Sequence, residues 1–452
     1  MEVRAYPRPK NDTGIGFHYY PDTHHYGKQD LQRWLPELKD MGTSWLVVLS
    51  DPVSPIPEFF IRELAASEIE PIVRLYTLTV RPLDQGALAR LLDRYANWGI
   101  HYVHAYNEPN LMVEWDPEEW SKPGLVDRFM DMLLPCLETM RMAGLYAMFT
   151  PLSSGGNYWD TAFLKAALDI VILKGKDHLF ETMTVGMHNY AFNKPLTWGK
   201  GGQAHWPKAK PYHTPSDSED HLDFYLFQWY DEIIRTRVGH SLPLISCENG
   251  AMIGDRQHER FPAVDEARHA QAHVEMSRML MEGQLPDYVF NNAFWLLCNG
   301  EENPFEGQAW YKRDGRRLPA VEAMKGMLKH PRRFSGSDSP SLPRPDDPTK
   351  GLYHYLLFPQ WKWGVSEWYW RLAIEYVKAF RPTCGFDPED AKVAQFVTII
   401  GDPRGVSEAV EEQLWAEGCH VERIAGSDAA ETKQILDDLA KRGKRFLNSD
   451  GS

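Results

Sequence analysis

Two glutamates each stand at the end of a short apolar run that has the composition of a β-strand. Glu108 follows the run at residues 101–106, and Glu248 follows the run at residues 243–247. Two carboxyl groups on either side of a glycosidic bond can hydrolyse it. One gives a proton to the leaving oxygen, while the other attacks the anomeric carbon or activates water. A single glutamate at a strand end is usually a solvated loop residue or a helix cap, so the hypothesis depends on the pair.

Short runs of this kind alternate with longer segments of helical periodicity. The predicted strands cover residues 15–19, 45–50, 71–76, 102–106, 146–150, 182–188, 244–247 and 289–297. The predicted helices include residues 30–41, 57–67, 88–98, 125–142, 220–237 and 264–282. Apolar strands that alternate with amphipathic helices indicate parallel strands covered by helices. Eight such units predict an α/β fold of the (β/α)₈ TIM-barrel type over residues 1–334, with an open doubly wound sheet as the alternative.

In such a barrel, substrates bind at the carboxyl ends of the strands. Glu108 and Glu248 end the fourth and seventh runs, so both are expected at that face. The long connection at residues 191–221 follows the sixth run. It is either a wall of the cleft or a disordered insertion.

Four motifs resemble those of clan A glycoside hydrolases, the superfamily that contains cellulases, β-mannanases and β-glucosidases. The resemblance covers residues 14–330, and its motifs are Asn107-Glu108-Pro109, His188-Asn189-Tyr190, Ser246-Cys247-Glu248-Asn249-Gly250 and Trp295 in the eighth run. It implies that Glu108 is the acid/base and Glu248 the nucleophile. It also implies a retaining mechanism, with carboxyl groups about 5–5.5 Å apart.

The resemblance also assigns substrate-binding roles. Asn107 is expected to contact the sugar 2-hydroxyl, Trp295 to form the floor of the −1 subsite, and His188 and Tyr190 to line it. Burial or a nearby negative charge is expected to raise the pKa of Glu108.

Two further residues are expected near the nucleophile. Many clan members carry an arginine on the second strand, but residues 45–50 have none, and Arg74 on the third run is positioned to take its place. His18 on the first run is either a cleft residue or a hydrogen-bonded histidine of the barrel rim.

Composition limits the partners. A net charge of −14 argues against nucleic acid and anionic membrane surfaces, and the 16 Trp and 20 Tyr suit stacking on sugar rings. No apolar run is long enough to span a membrane. Neither His24-His25 nor the pair His269 and His273 has an identifiable third ligand, so no metal or other cofactor is predicted.

The C-terminal part differs in character. Residues 335–350 are predicted to be a linker, and residues 351–452 an aromatic-rich segment followed by a small α/β unit. The unit's expected elements are strand 394–401, helix 406–418, strand 420–424 and helix 429–442. Residues 394–441 resemble one unit of cell-wall-binding repeat 2, although the family's Asp-Arg-Tyr-x-Thr-Ala is replaced by residues 428–433. This resemblance implies a bacterial envelope polymer as a second partner; a purely structural appendage is the alternative.

The function hypothesis is a retaining hydrolase that cleaves β-glycosidic bonds of an oligo- or polysaccharide. A non-catalytic glycan-binding barrel and a transglycosylase with the same carboxylates are the alternatives. The sequence does not identify the sugar, the linkage or endo versus exo action. Residues 1–10 lack the apolar core of a signal peptide. The expected location is extracellular if the C-terminal resemblance is real, and cytoplasmic otherwise.

Overall fold

The computed structural model describes residues 3–301, 303–334, 350, 352–361, 364–365 and 367–447. The chain divides into two units, Met1–Ser339 and Pro340–Ser452. The predicted linker lies outside the described residues except for Lys350.

The first unit contains a closed barrel of eight parallel strands. Each strand pairs with the next one in sequence, and the eighth pairs with the first. The strands are β1 (Ile15–His18), β2 (Trp45–Ser50), β3 (Glu70–Leu75), β4 (Tyr102–Ala105), β5 (Tyr146–Phe149), β6 (Thr184–Tyr190), β7 (Leu244–Gly250) and β8 (Asn292–Phe294). The predicted (β/α)₈ fold is therefore confirmed, and the open doubly wound sheet is ruled out.

Helices lie between the strands and cover the outside of the barrel. They are α1 (Lys28–Asp40), α2 (Glu58–Ala66), α3 (Gln85–Asn97), α4 (Pro117–Ser121), α5 (Leu125–Met142), α6 (Asp160–Leu173), α7 (Gly202–His205), α8 (Leu226–Val238), α9 (Glu266–Met281) and α10 (Pro319–Gly326). Local signals set several ends: Asp265 caps the start of α9, and Gly239 (φ +91°) ends α8 in the left-handed conformation. None of the described helices has both the length and the apolar character that a membrane crossing needs.

Side chains that point into the barrel form two layers of different polarity. An apolar cluster that includes Trp45, Ile72 and Tyr102 fills one part of the interior. Because alternate residues of a strand face the same side, the next inward positions on β3 and β4 are Arg74 and His104, which are partners in the β3–β4 register. A buried polar layer therefore lies one step nearer the carboxyl ends of the strands.

The second unit is an α/β sheet that begins earlier than the sequence predicts. Its strands β9 (Leu352–Leu357), β12 (Thr383–Gly385), β13 (Ala394–Ile400) and β14 (His420–Ile424) form a parallel sheet in the order β12-β9-β13-β14. The two-residue strands β10 (Gln360–Trp361) and β11 (Gly364–Val365) pair with each other. The helices are α11 (Glu367–Phe380), α12 (Pro388–Ala391), α13 (Glu408–Ala416) and α14 (Ala429–Arg442).

The four elements predicted from residue 394 onward are confirmed, with shorter ends for β13 and α13. The aromatic-rich segment supplies a paired strand and a helix of the same unit, so it is part of this unit's core. Its Trp363 lies outside the described residues.

Candidate active site

Glu108 stands in a tight turn directly after β4. Its backbone φ is +29°, and that of Tyr106 is +65°, in the region that residues with a Cβ rarely adopt. The turn is fixed by a hydrogen bond from Leu111 N to Glu108 O (2.8 Å) and by the Trp115 indole, which donates to Pro109 O (2.8 Å). Backbone strain of this kind persists only where the surroundings hold it, and it is common at functional sites. The carboxyl group is therefore held in a defined position.

Glu248 faces the barrel interior because of a register shift between β6 and β7. Met187 pairs with Ser246, and His188 with Glu248, so Cys247 is an extra residue without a partner on β6. Such a bulge reverses the alternation of side chains, so the residue after it points to the face opposite to the one that regular alternation predicts. The Cys247 side chain packs in the apolar interior cluster, and Glu248 follows it on the same side.

His188 links the two glutamates. Its Nδ1 lies 2.8 Å from Glu108 Oε1 and 3.8 Å from Glu248 Oε2. The two carboxylate oxygens therefore cannot be farther apart than the sum of these distances, and any bend at the nitrogen makes them closer. The Glu108 side chain is 16% exposed and that of Glu248 is 11% exposed, so both reach the surface only slightly. The structure thus brings the two predicted catalytic residues into one site.

The pKa values of Glu108 and His188 shift in opposite directions. Burial is the largest single influence on Glu108 and opposes its ionisation. The charge and hydrogen bond of His188, with Arg74 and a hydrogen bond from Ser153, outweigh it and lower the pKa of Glu108 below 4.5. Burial opposes protonation of His188, but the charges of Glu248 and Glu108 raise its pKa above 6.5. The predicted rise in the pKa of Glu108 is therefore wrong: the His188 contact lowers it, and the two carboxylates raise the pKa of His188.

Two side chains hold the Glu248 carboxylate. The Tyr190 hydroxyl donates to Oε2 at 2.7 Å, and Arg74 Nη1 lies 3.5 Å from Oε1. Burial and the adjacent carboxylates raise the pKa of Tyr190 well above 10, so this hydroxyl is a permanent donor. Arg74 reaches the Glu248 carboxylate from β3, where its register partner on β2 is Leu49. The structure thus places the Arg74 guanidinium beside Glu248.

Asn107 is next to Glu108 and contacts a third acidic residue. Its Nδ2 donates to Glu114 Oε1 at 3.0 Å, while its Oδ1 is buried without a hydrogen-bond partner among the described residues. Burial raises the pKa of Glu114 to about 7; the Asn107 hydrogen bond and Arg74 oppose the rise, and Glu108 and Glu248 reinforce it.

Trp295 and His18 pack against each other at the ends of β8 and β1. Their rings meet edge to face with centroids 4.6 Å apart, and the Trp295 indole donates to Gln308 Oε1 at 2.5 Å. Burial, with the charges of Arg74 and two histidines, lowers the pKa of His18 well below 6.5. Neither His18 ring nitrogen has a hydrogen-bond partner within the part of the chain that the structure describes. The alternative of a hydrogen-bonded rim histidine is therefore not what the structure shows.

Two polar residues near the pair, Glu114 and His104, were not predicted from the sequence. His104 lies on β4, where burial lowers its pKa well below 6.5. The alternation of inward-facing residues on β4 could have predicted that His104 points into the barrel. Glu114 has no such signal, because it belongs to a short 3₁₀ turn (Met112–Glu114) rather than to a periodic element.

The long connection after β6 is anchored by a buried acidic residue. Asp160 at the start of α6 accepts hydrogen bonds from Gly155 N (3.0 Å), the Tyr230 hydroxyl (2.8 Å) and His221 Nε2 (2.7 Å). Asp220, the first residue of the predicted helix 220–237, instead accepts from Trp198 Nε1 (2.9 Å). The helix α8 therefore begins six residues later than predicted. That the connection walls the cleft stays a prediction.

The histidine pairs considered as metal ligands have other contacts. His25 Nδ1 lies 2.7 Å from Asp22 Oδ1, and His273 Nδ1 lies 2.6 Å from His269 O. Within the described ranges, no group of three or more His, Cys, Asp or Glu side chains is arranged to hold a metal ion.

Comparisons with known proteins give fold-level similarity. No protein-family model matches the chain, and no curated protein matches it significantly. A GH39 β-xylosidase from Caulobacter crescentus is 15% identical with a TM-score of 0.44, and the match covers 71% of this chain and 72% of that one. A β-glucuronidase from Bacteroides uniformis is 12% identical with a TM-score of 0.44 over 70% of this chain, which spans only 35% of that one. A family 1 β-glucosidase from Thermotoga maritima is 12% identical with a TM-score of 0.39, covering 66% and 85%. These similarities carry no argument about substrate or mechanism.

Proposed function

We propose that the barrel is a retaining glycoside hydrolase that cleaves β-glycosidic bonds of an oligo- or polysaccharide. The observation that carries the proposal is the position of His188 Nδ1, at 2.8 Å from one carboxylate and 3.8 Å from the other. Retaining enzymes have carboxyl groups about 5–5.5 Å apart, whereas inverting enzymes need about 6.5–9.5 Å to admit a water. The upper limit set by the two distances admits the retaining separation and reaches only the lower edge of the inverting range.

In the first step, Glu248 is the nucleophile. One oxygen of its carboxylate forms a bond to the anomeric carbon as the bond from that carbon to the leaving oxygen breaks. The proton held by His188 and Glu108 moves through Glu108 to the leaving oxygen, so the aglycone departs as a neutral alcohol. Tyr190 and Arg74 keep the attacking carboxylate oriented.

In the second step, water attacks the glycosyl ester. Glu108, now without its proton, accepts one from the water, and the ester bond to Glu248 breaks. The negative charge of Glu248 raises the pKa of His188 in the free protein. That charge is absent in the ester, which favours the deprotonated pair that the base role requires.

The surrounding residues suit a neutral sugar. Asn107 offers its unpartnered carbonyl oxygen and His18 its two unpartnered ring nitrogens as hydrogen-bonding groups. Trp295 supplies an indole face against which the apolar side of a sugar ring stacks. For the C-terminal unit we propose, from the sequence resemblance alone, that it binds a cell-wall polymer.

The test is turnover of a panel of aryl β-glycosides, with the anomeric configuration of the first product read by NMR. We expect hydrolysis with retention, and loss of turnover in Glu248→Gln. The matched control is Glu259→Gln, which changes an exposed glutamate after β7 and is expected to keep wild-type activity. Tight binding without aglycone release would instead support the glycan-binding alternative, and inversion would contradict the mechanism. Addition of a sugar acceptor distinguishes transglycosylation from hydrolysis.

A further inference from the structure

Glu114 is the acidic residue near the two catalytic candidates to which the mechanism above gives no role. It lies at the end of the turn that folds back after Glu108, and its backbone carbonyl accepts a hydrogen bond from Val80 N at 2.7 Å. Trp115, next to it, is buried and donates its indole hydrogen to Pro109 O. The position of Glu114 is therefore fixed from both sides, by the loop after β3 and by its own turn.

The side-chain contact of Glu114 determines which end of the Asn107 amide is free. When Glu114 is ionised, above its pKa of about 7, its carboxylate only accepts hydrogen bonds, so the end of Asn107 that meets Glu114 Oε1 at 3.0 Å is the donor Nδ2. The other end of the amide, Oδ1, is buried and has no partner among the described residues. A buried acceptor without a donor is costly, and a bound ligand with a donor in reach relieves that cost.

We propose that Glu114 is a positioning residue that fixes the Asn107 amide with its carbonyl oxygen toward the bound sugar, so that the sugar must present a hydroxyl donor beside its anomeric carbon. This inference rests on the proposed function and names the substrate feature that the site selects. The selected sugars carry a free 2-hydroxyl, and 2-deoxy or 2-O-substituted sugars react more slowly because they leave Oδ1 unpaired.

Protonation of Glu114 would reverse the arrangement. A neutral carboxyl group can donate to Oδ1, and the amide can then turn and present Nδ2 instead. The charged groups that act on Glu114 are Arg74 on β3, Glu108 after β4 and Glu248 on β7. Since burial raises the pKa of Glu114 to about 7, the change falls within an accessible pH range.

The kinetic test compares 2-hydroxy and 2-deoxy substrates in the wild type and in Glu114→Gln. The glutamine amide holds Asn107 equally well in either orientation, so the variant loses the selection without losing the hydrogen bond. The preference is the kcat/KM for the 2-hydroxy substrate divided by that for the 2-deoxy substrate. We expect this ratio to be about ten-fold larger in the wild type than in the variant. An ionisation near pH 7 should also disappear from the variant's pH profile. Glu118→Gln, an exposed glutamate four residues later, should keep both wild-type properties.

A second measurement does not depend on turnover. In protein labelled with ¹⁵N-asparagine, the side-chain amide signals of Asn107, assigned with Asn107→Asp, should shift with pH around a midpoint near 7 and should not do so in Glu114→Gln. An unchanged 2-hydroxyl preference in Glu114→Gln, or an Asn107 signal that ignores pH in the wild type, overturns the inference. Failure of the wild type to cleave any β-glycoside would count against the proposed hydrolase alone, because the NMR result still decides the role of Glu114.

Discussion

Glu108→Gln tests proton transfer to the leaving oxygen. Glutamine has the same shape, and its carbonyl oxygen can still accept the hydrogen bond that His188 gives to Glu108 Oε1 at 2.8 Å. The tight turn after β4 does not depend on the side chain, because backbone groups and Trp115 fix it. The variant should therefore fold normally and bind substrate, but it has no proton to give to the leaving oxygen.

The size of the loss should depend on the leaving group. General acid catalysis contributes about 10²–10⁴-fold, or roughly 3–5 kcal/mol of barrier, where the leaving group needs a proton. Alkyl and phenyl β-glycosides should lose about that factor in kcat/KM. A 2,4-dinitrophenyl glycoside, whose leaving group departs without a proton, should lose about ten-fold or less. Because kcat/KM reports the step up to aglycone release, the base role in the second step does not enter the comparison.

The assay measures kcat/KM of the wild type, Glu108→Gln and the control Glu118→Gln against aryl glycosides of graded leaving-group pKa. A loss that is the same for every leaving group would refute the assignment of Glu108 as the acid. With dinitrophenyl substrates, azide should also restore turnover of Glu108→Gln, because this nucleophile needs no base.

Three further predictions concern side-chain contacts in the first unit. Tyr190→Phe removes the hydroxyl that lies 2.7 Å from Glu248 Oε2. It should lower kcat/KM by about 10–100-fold, which is the value of a hydrogen bond to a charged group, and leave thermal stability unchanged. A loss below two-fold would contradict this prediction. Asp160→Ala leaves three buried donors without their acceptor and should cost about 3–5 kcal/mol in urea unfolding, whereas a cost under 1 kcal/mol would show that the network is dispensable. The Glu108–His188 pair should stabilise the fold most between pH 4.5 and 6.5. A lowered carboxyl pKa stabilises the folded state fully above pH 4.5, and a raised imidazole pKa does so fully below pH 6.5. A double-mutant cycle that gives its largest coupling energy at pH 8 would contradict these directions.

The sequence predicted the elements of the barrel well because each depends on local pattern. All eight strands are short apolar runs, and α5 has the predicted bounds of residues 125–142. The helix α6 is absent from the predicted set, because apolar residues occupy most of its surface and give no clear face. The start of α8 was wrong because tertiary hydrogen bonds to Asp220 compete with helix formation there.

The candidate site was predictable as far as motifs reach. Glu108, His188, Tyr190 and Glu248 are brought together as the resemblance implied. The register shift at Cys247 depends on pairing between two strands and leaves no mark in the sequence of either. The direction of the Glu108 pKa depends on how close His188 comes.

Electrostatics was therefore the part that the sequence could not supply. Burial alone predicts a raised pKa for Glu108, and the 2.8 Å contact with His188 is what lowers it. The same holds for Glu114, whose contact with Asn107 follows from the path of an irregular turn.

Trapping the glycosyl-enzyme tests directly whether Glu248 is the nucleophile. The wild type is incubated with a 2-deoxy-2-fluoro glycoside of the configuration that it hydrolyses, carrying a dinitrophenyl leaving group, and the digested protein is analysed by mass spectrometry. If Glu248 is the nucleophile, one sugar should be bound covalently to the peptide that contains Glu248, and none to Glu108. A label on any other residue, or turnover that proceeds with inversion and leaves no label, would contradict it.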